Sequence, residues 1–479
     1  MSDPKLRIEL ASGWVEGVPG AAAKATSSQP LRIFKGIPYA ATTSGKNRWL
    51  VPQHVIPWSG IRLCDKFGAI AVQANMPDVP GYAGDFDCLN LNIWCPQDKG
   101  PWPVMVWIPG GGFMRGGTSD ALYDGSAIAS TGVVFVSINY RVGVDGFMQF
   151  EDAAPNRGLQ DQLAALRWVQ QNIALFDGDP TQVTVAGVSA GAGAITHLMG
   201  LQACDTLFHR VILQSPSLQS HSLEDAAQIR SALAKALGTA PTRQALESVS
   251  MEALTKTLSS FFGNESLKKQ FGLRTRNFFP VRPVIDGDML KKDPLQSIEE
   301  HLRHGAPRRD VLLGFNLEEM RFYLVPNGEI DRIDQNRVLE FLQDIGWSHE
   351  ILNEYQSNMP MASIGDVMSC IQSDYYYCKP TKALEQILRN AGCPTYRYEF
   401  GWRSPLYEGR MGAAHAMEIP FVLGNASTER AQDFIGGLAP QVLADDMHSR
   451  WIRFIKGAPM PDWSNSNNSN DRLRIFNNQ

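Results

Sequence analysis

Two stretches of the chain are nearly uninterrupted apolar runs bounded by glycine or proline: WPVMVWIPGGGF from Trp102 and GVVFVSINYRVG from Gly132. Runs of that length with those flanks predict strands covered on both faces. Shorter strand patterns precede them, in LRIFKGIPYA from Leu31 and DCLNLNIWCP from Asp87. The period then changes. Leu159, Leu163, Leu166, Val169 and Ile173 recur at helical spacing, and Gly178 and Pro180 are expected to end that helix. From Val183, VTVAGV returns to a strand pattern and runs into Ser189, set among glycines, and then into an amphipathic segment. HRVILQSPS, DVLLGFNLEEMRFYL and PTYRYEFGW predict further strands, and DDMHSRWIRFIKG a helix. The segment from Leu223 to Arg303 has a helical, polar texture broken by FFPVRPVIDG, which predicts a helical cap inserted into the sheet order. The tail, residues 464–479, is rich in asparagine and serine, and its first half predicts a surface loop. Strand, helix, strand, turn and helix in succession predict an α/β fold. Its mostly parallel, doubly wound sheet forms one domain over residues 1–479 and takes ligands beyond the C-terminal strand ends.

Composition narrows the function classes. With 44% hydrophobic and 19% charged residues the chain is of ordinary globular make-up, and a formal net charge of −5 supplies no basic field for nucleic acid. No apolar run approaches about 18 residues, and the N-terminus has no apolar core of signal-peptide length, so no membrane association and a cytoplasmic location are expected. Seven cysteines, an odd number without C-x-x-C pairs, predict neither a disulfide framework nor a zinc site. No metal or cofactor is expected.

The serine carries the candidate chemistry. Gly187, Ser189 and Gly191 have the G-x-S-x-G spacing of a strand-to-helix turn that exposes its central hydroxyl, with the Ala190 N–H aimed where an oxyanion would form. A serine needs a base, and the base an orienting acid. Of the nine histidines, His415 alone lies downstream in a loop of small residues, GAAHA, that would let an imidazole approach another backbone. Glu318 and Glu319 follow the apolar VLLGFNL, where a loop could carry one of them to that ring.

FKGIPYA, DCLNLNIW, WIPGGGF, INYRVG, NRGLQDQLAALRWVQQNIALFDGDP, VTVAGVSAGAGA, LQSPS, GFNLEEM and GAAHAMEIPFVLG occur collinearly over nearly the whole chain. In them the sequence resembles the type-B carboxylesterases, the family that includes the cholinesterases. The resemblance implies an α/β-hydrolase fold and a serine hydrolase acting on small-molecule carboxylic esters through an acyl-enzyme. Ser189 is the implied nucleophile, Glu319 the acid and His415 the base. The N–H groups of Gly111, Gly112 and Ala190 are the implied oxyanion hole, and Ser215 supports the acid and histidine. Phe113, Val188, Phe322 and Tyr323 are candidate pocket residues, Tyr82 and Phe86 are either pocket residues or packing anchors of their loop, and Arg141 with Asp161 is an implied buried ion pair. The same triad also serves amide or carbamate hydrolysis and acyl transfer or lactone formation, and some relatives of this fold are non-catalytic adhesion proteins. The chain is expected to act as a monomer or weak dimer.

Four positions depart from the family pattern. Pro109 precedes the glycine triplet where relatives often have histidine. Val188 replaces the acid that precedes the nucleophile in cholinesterases, which removes a reason to prefer a cationic leaving group. Met320 follows Glu319 in place of glycine. Ala71 replaces a cysteine that pairs, in secreted relatives, with the counterpart of Cys88, in keeping with a reducing compartment.

Overall fold

The apolar runs form the middle of a ten-stranded sheet. The computed structural model describes residues 6–21, 30–74, 82–262, 264, 266, 279–460, 463 and 473–477. In chain order the sheet strands are β1 (Val18–Gly20), β2 (Leu31–Pro38), β3 (Asn90–Pro96), β4 (Trp102–Ile108), β5 (Val134–Ile138), β6 (Gly178–Val188), β7 (Arg210–Gln214), β8 (Asp310–Asn316), β9 (Thr395–Phe400) and β10 (Leu473–Phe476). They lie in the order β10-β9-β8-β7-β6-β4-β5-β3-β2-β1. Pairing is parallel from β10 to β5 and antiparallel from β5 to β1.

Alternation along the strands divides the core between two faces. Val104, Val106 and Ile108 belong to one apolar cluster, whereas Met105 and Trp107 belong to the other. Helix Arg157–Asn172 buries Leu159, Leu166 and Val169. It ends in a 3-10 turn, Ile173–Phe176, that closes on the left-handed Asp177. Pro180 does not stop the helix as expected. It lies inside β6, which starts at Gly178 and shifts register against β4 between Gly178 and Val183. A proline is tolerated there because the irregularity interrupts the ladder it could not complete.

After β7, helices Leu223–Ala236, Arg243–Glu247, Met251–Ser259 and Pro294–Arg303 occupy the segment expected to be helical. Pro294–Arg303 packs on helix Ala190–Met199. A second helical excursion lies between β8 and β9, and its first turn, Arg321–Leu324, is helical where DVLLGFNLEEMRFYL predicts a continuing strand; β8 stops at Asn316. The excursion runs through Arg321–Leu324, Gln335–Asp344, Glu350–Asn358, Ile364–Ser373 and Lys379–Asn390. Met320, Val338, Phe341, Leu342 and Ile371 give it an apolar cluster of its own. A capping box of Ser363 with Asp366 starts helix Ile364–Ser373, which passes into a π-helical turn at Asp374–Cys378 before Pro380, a residue with no N–H to donate.

The first half of the asparagine- and serine-rich tail lies outside the described residues. Its second half joins the sheet as β10 beside β9. Among the described residues no helix is long and apolar enough to cross a membrane.

Candidate active site

The ends of adjacent parallel strands set the site. In register, Ile108 of β4 lies beside Gly187 of β6, Val188 beside Gln214 of β7, and Gln214 beside Gly314 of β8. The glycine loop, Ser189, Ser215 and Glu319 therefore leave neighbouring strands at one edge. Since β5 and β6 flank β4 on opposite sides, this is also where the strand order reverses, the crevice in which such sheets bind ligands.

Ser189 has φ 57° and ψ −122°, a region sparsely populated by non-glycine residues. Three backbone bonds hold it there. Its N–H donates to the Gln214 carbonyl (2.8 Å), and its carbonyl accepts from Gly193 (2.8 Å) and Ser217 (3.2 Å). The glycines give the room: a Cβ on Gly191 would meet the Ile108 carbonyl at 2.1 Å, and one on Gly187 would meet it at 2.8 Å.

The glycine loop is similarly constrained. Gly111 and Gly112 have φ of 126° and 63°, and a Cβ on either would come within 2.0 Å of the Arg115 carbonyl or 2.2 Å of the Phe279 ring. A Cβ on Gly110 would lie 3.0 Å from that of Ser189, so the loop abuts the serine. Among the described residues no acceptor takes the N–H groups of Gly111, Gly112 or Ala190.

Glu319 and His415 meet in the interior, with exposures of 0% and 3%. His415 Nδ1 is 2.5 Å from Glu319 Oε2, while Oε1 accepts from Ser215 Oγ (2.6 Å) and the Asn316 N–H (2.7 Å). The His415 N–H donates to the Glu319 carbonyl at 3.2 Å. His415 Nε2 is buried with no hydrogen-bond partner among the described residues. Donation from Nδ1 to the carboxylate leaves the Nε2 lone pair available, as a general base requires.

Glu318 points elsewhere. Its carboxylate pairs with Arg321 (2.8 Å) and Arg403 (2.5 Å) and accepts from the Ala413 N–H (2.9 Å). It clamps the outside of the histidine loop. Met320, at φ −76°, needs no glycine: its side chain is buried in the second helical excursion and its N–H donates to Ser373 Oγ at 3.1 Å.

Other expected residues divide. Phe322 and Tyr323 have ring centroids 6.1 and 5.7 Å from that of His415. Val188 lies under the glycine loop, its carbonyl 2.8 Å from where a Gly110 Cβ would be. Phe113, expected in the pocket wall, has a left-handed backbone and turns its ring into the core, 4.9 Å from that of Phe147. Phe86 packs against the main apolar cluster, and the side chain of Tyr82 lies outside the described residues. Arg141 and Asp161 form a fully buried two-pronged pair at 2.7 and 2.8 Å.

Four further residues shape the site. Phe279, from the FFPVRP break, covers Gly112. Asn316 Nδ2 donates to the Ala414 carbonyl (2.6 Å) and to Glu418 Oε2 (2.7 Å), tying the acid's strand to the histidine loop. Glu418 also accepts from Gln214 Nε2 at 2.9 Å, and burial, with the charge of Glu319 nearby, raises its pKa. Tyr377, from the π-helical turn, sets its ring 4.6 Å from that of His415 and its hydroxyl 3.2 Å from that of Tyr323. Asn316 and Glu418 stood within motifs already singled out. Tyr377 had no signal beyond a run of three tyrosines.

A mostly parallel sheet with a strained serine at the strand-order reversal and a buried histidine-carboxylate pair beside it defines an α/β-hydrolase. The chain belongs to the carboxylesterase family, whose sequence profile matches residues 2–478, and is a carboxylic ester hydrolase. It is 32% identical over 483 residues to the fumonisin B1 esterase of Sphingopyxis macrogoltabida, covering 95% of this chain and 83% of that one. It is 30% identical over 452 residues to the phenmedipham hydrolase of Pseudarthrobacter oxydans, covering 90% and 88%. The crystal structure of a Geobacillus stearothermophilus carboxylesterase superposes with a TM-score of 0.82 at 29% identity, over 98% of this chain and 96% of that one.

Proposed function

We propose that the chain cleaves carboxylic esters through an acyl-enzyme on Ser189, with His415 as base and Glu319 as the acid that orients it. One observation carries this reading. A buried chain of hydrogen bonds runs from Ser215 through Glu319 to His415 and leaves Nε2 unpartnered among the described residues. Nε2 takes the proton of Ser189 Oγ as the oxygen attacks the ester carbonyl. The oxyanion accepts from Gly111, Gly112 and Ala190, and protonated Nε2 then gives its proton to the departing alcohol oxygen. Water repeats the sequence on the acyl-enzyme and releases the acid. An organophosphonate ester should modify the protein once, and peptide mapping should put the adduct on Ser189. An adduct on any other residue, with esterase activity lost in proportion, would refute this assignment.

The proposed setting is the reducing cytoplasm. All seven cysteines are free, and burial pushes the thiols of Cys64, Cys95 and Cys204 up to about 12, so near neutral pH they are thiols rather than thiolates. Millimolar reductant and millimolar chelator should each leave kcat and Tm unchanged. A fall with reductant reveals a working disulfide, and a fall with chelator a working metal.

A further inference from the structure

Glu418 stands three residues beyond His415 and heads helix Ile419–Leu423, yet its side chain makes no capping bond to that helix. It is fully buried and bonded to the sheet instead. Oε1 accepts from Gln214 Nε2 (2.9 Å) and Oε2 from Asn316 Nδ2 (2.7 Å), the last residues of β7 and β8. Each of those two residues also holds part of the triad. The Gln214 carbonyl accepts the Ser189 N–H (2.8 Å), and the Asn316 N–H donates to Glu319 Oε1 (2.7 Å). Asn316 Nδ2 gives its other proton to the carbonyl of Ala414, next to His415 (2.6 Å). One carboxylate is thus joined, through Gln214 and Asn316, to the nucleophile, the acid and the loop that carries the base.

That loop needs holding. Ala416, directly after His415, has φ 68°, a left-handed backbone that alanine disfavours. The Asn316 amide that ties the loop has only these two bonds to fix its rotation, because Oδ1 is buried with no partner among the described residues. Without an acceptor at Glu418 the amide can turn, and the Ala414 carbonyl then loses its donor. Both side-chain partners of Glu418 are neutral amides, which a neutral acceptor of the same length also serves. Burial and the charge of Glu319 nearby raise its pKa, the direction expected of a carboxyl group whose charge nothing at the site uses.

We propose that Glu418 is a positioning residue for the ester-cleaving triad, a buried strut that works through its length and its two hydrogen bonds rather than through its charge. The inference rests on Ser189, Glu319 and His415 being that triad. When the strut is lost the histidine loop relaxes and Nε2 shifts relative to Ser189 Oγ. Proton transfer then slows in both acylation and deacylation. Glu418 has no exposed surface to meet substrate, so KM should not follow.

The test compares Glu418→Asp with Glu418→Gln in the full chain on a p-nitrophenyl ester, each rate divided by the number of sites that an organophosphonate titrates. Aspartate keeps the charge but is one methylene shorter and cannot span both amides. Glutamine keeps the length. Its oxygen accepts from Asn316, and its NH2 donates to Gln214 once that amide turns over to offer Oε1, which is buried without a partner among the described residues. In Glu418→Asp kcat per site should fall about tenfold to a hundredfold, the span expected for a buried hydrogen-bonding group left unpaired. Glu418→Gln should recover it to within about fivefold of the parent, with KM within about twofold in both. Glutamine impaired as much as aspartate, or more, would make the charge the working feature and overturns the proposal. So does kcat per site unchanged in both variants with only Tm or the number of titratable sites reduced, the mark of a residue that merely supports the fold. An adduct absent from Ser189 in the parent protein would instead refute the triad, which separates the two failures.

Discussion

Ser189→Ala should lower kcat on the order of a thousandfold or more while leaving the fold intact. The loss is large because removing the oxygen removes the covalent route; the oxyanion donors and the bound geometry persist but have no attacking atom to serve. The fold should survive because Ser189 is held by its backbone. Its N–H and carbonyl make the three bonds to Gln214, Gly193 and Ser217, and its side chain makes no capping bond to the helix it precedes. Alanine keeps the Cβ already accommodated at φ 57°, so no new steric strain enters. Tm should therefore equal or slightly exceed that of the parent, since what is lost is a buried polar group in a site built for reaction. Steady-state kinetics on a p-nitrophenyl ester, with a thermal melt on the same sample, checks both. Activity within tenfold of the parent would mean that another residue is the nucleophile.

What was legible in the sequence follows from how local each constraint is. Close backbone approach at Gly187 and Gly191 tolerates nothing but glycine, so the elbow leaves a fixed pentapeptide. The parallel strands behind it are buried on both faces and show as apolar runs. Contacts made by distant elements leave no such trace. Tyr377 reaches His415 because a helix slips into a π turn over Asp374–Cys378, a register change set by the packing of the second helical excursion. Phe279 covers Gly112 from a segment that reads only as an interruption between helices. Pro180 misled because proline ends helices more often than it begins strands, and the irregular start of β6 could not be read locally. The edge strand β10 was hidden by the asparagine-rich residues before it, although LRIF is apolar enough to pair. Met320 is the reverse case. It stands where the family pattern has glycine, and the structure gives that position an ordinary helical backbone and a buried side chain.

The paired glutamates give the other large effect: Glu319→Gln should lower kcat by roughly a hundredfold to ten-thousandfold, whereas Glu318→Gln should stay within about threefold of the parent. Glu319 spends one oxygen on Ser215 and the Asn316 N–H and the other on His415 Nδ1. A glutamine can keep its carbonyl toward Ser215 and Asn316, but its NH2 must then face Nδ1. Two donors cannot share that contact, so the ring proton moves to Nε2, the one atom that has to accept the proton of Ser189. The lost charge also leaves the imidazolium formed during acyl transfer uncompensated in a buried site. Glu318→Gln loses its ion pairs with Arg321 and Arg403, neither of which touches the imidazole, and its amide oxygen can still accept from Ala413, so the histidine loop keeps its anchor. Measured kcat and circular dichroism for both variants decide the matter. If Glu318→Gln is the impaired one while Glu319→Gln is nearly normal, His415 takes its orientation from the other carboxylate, and the role proposed for Glu319 is wrong.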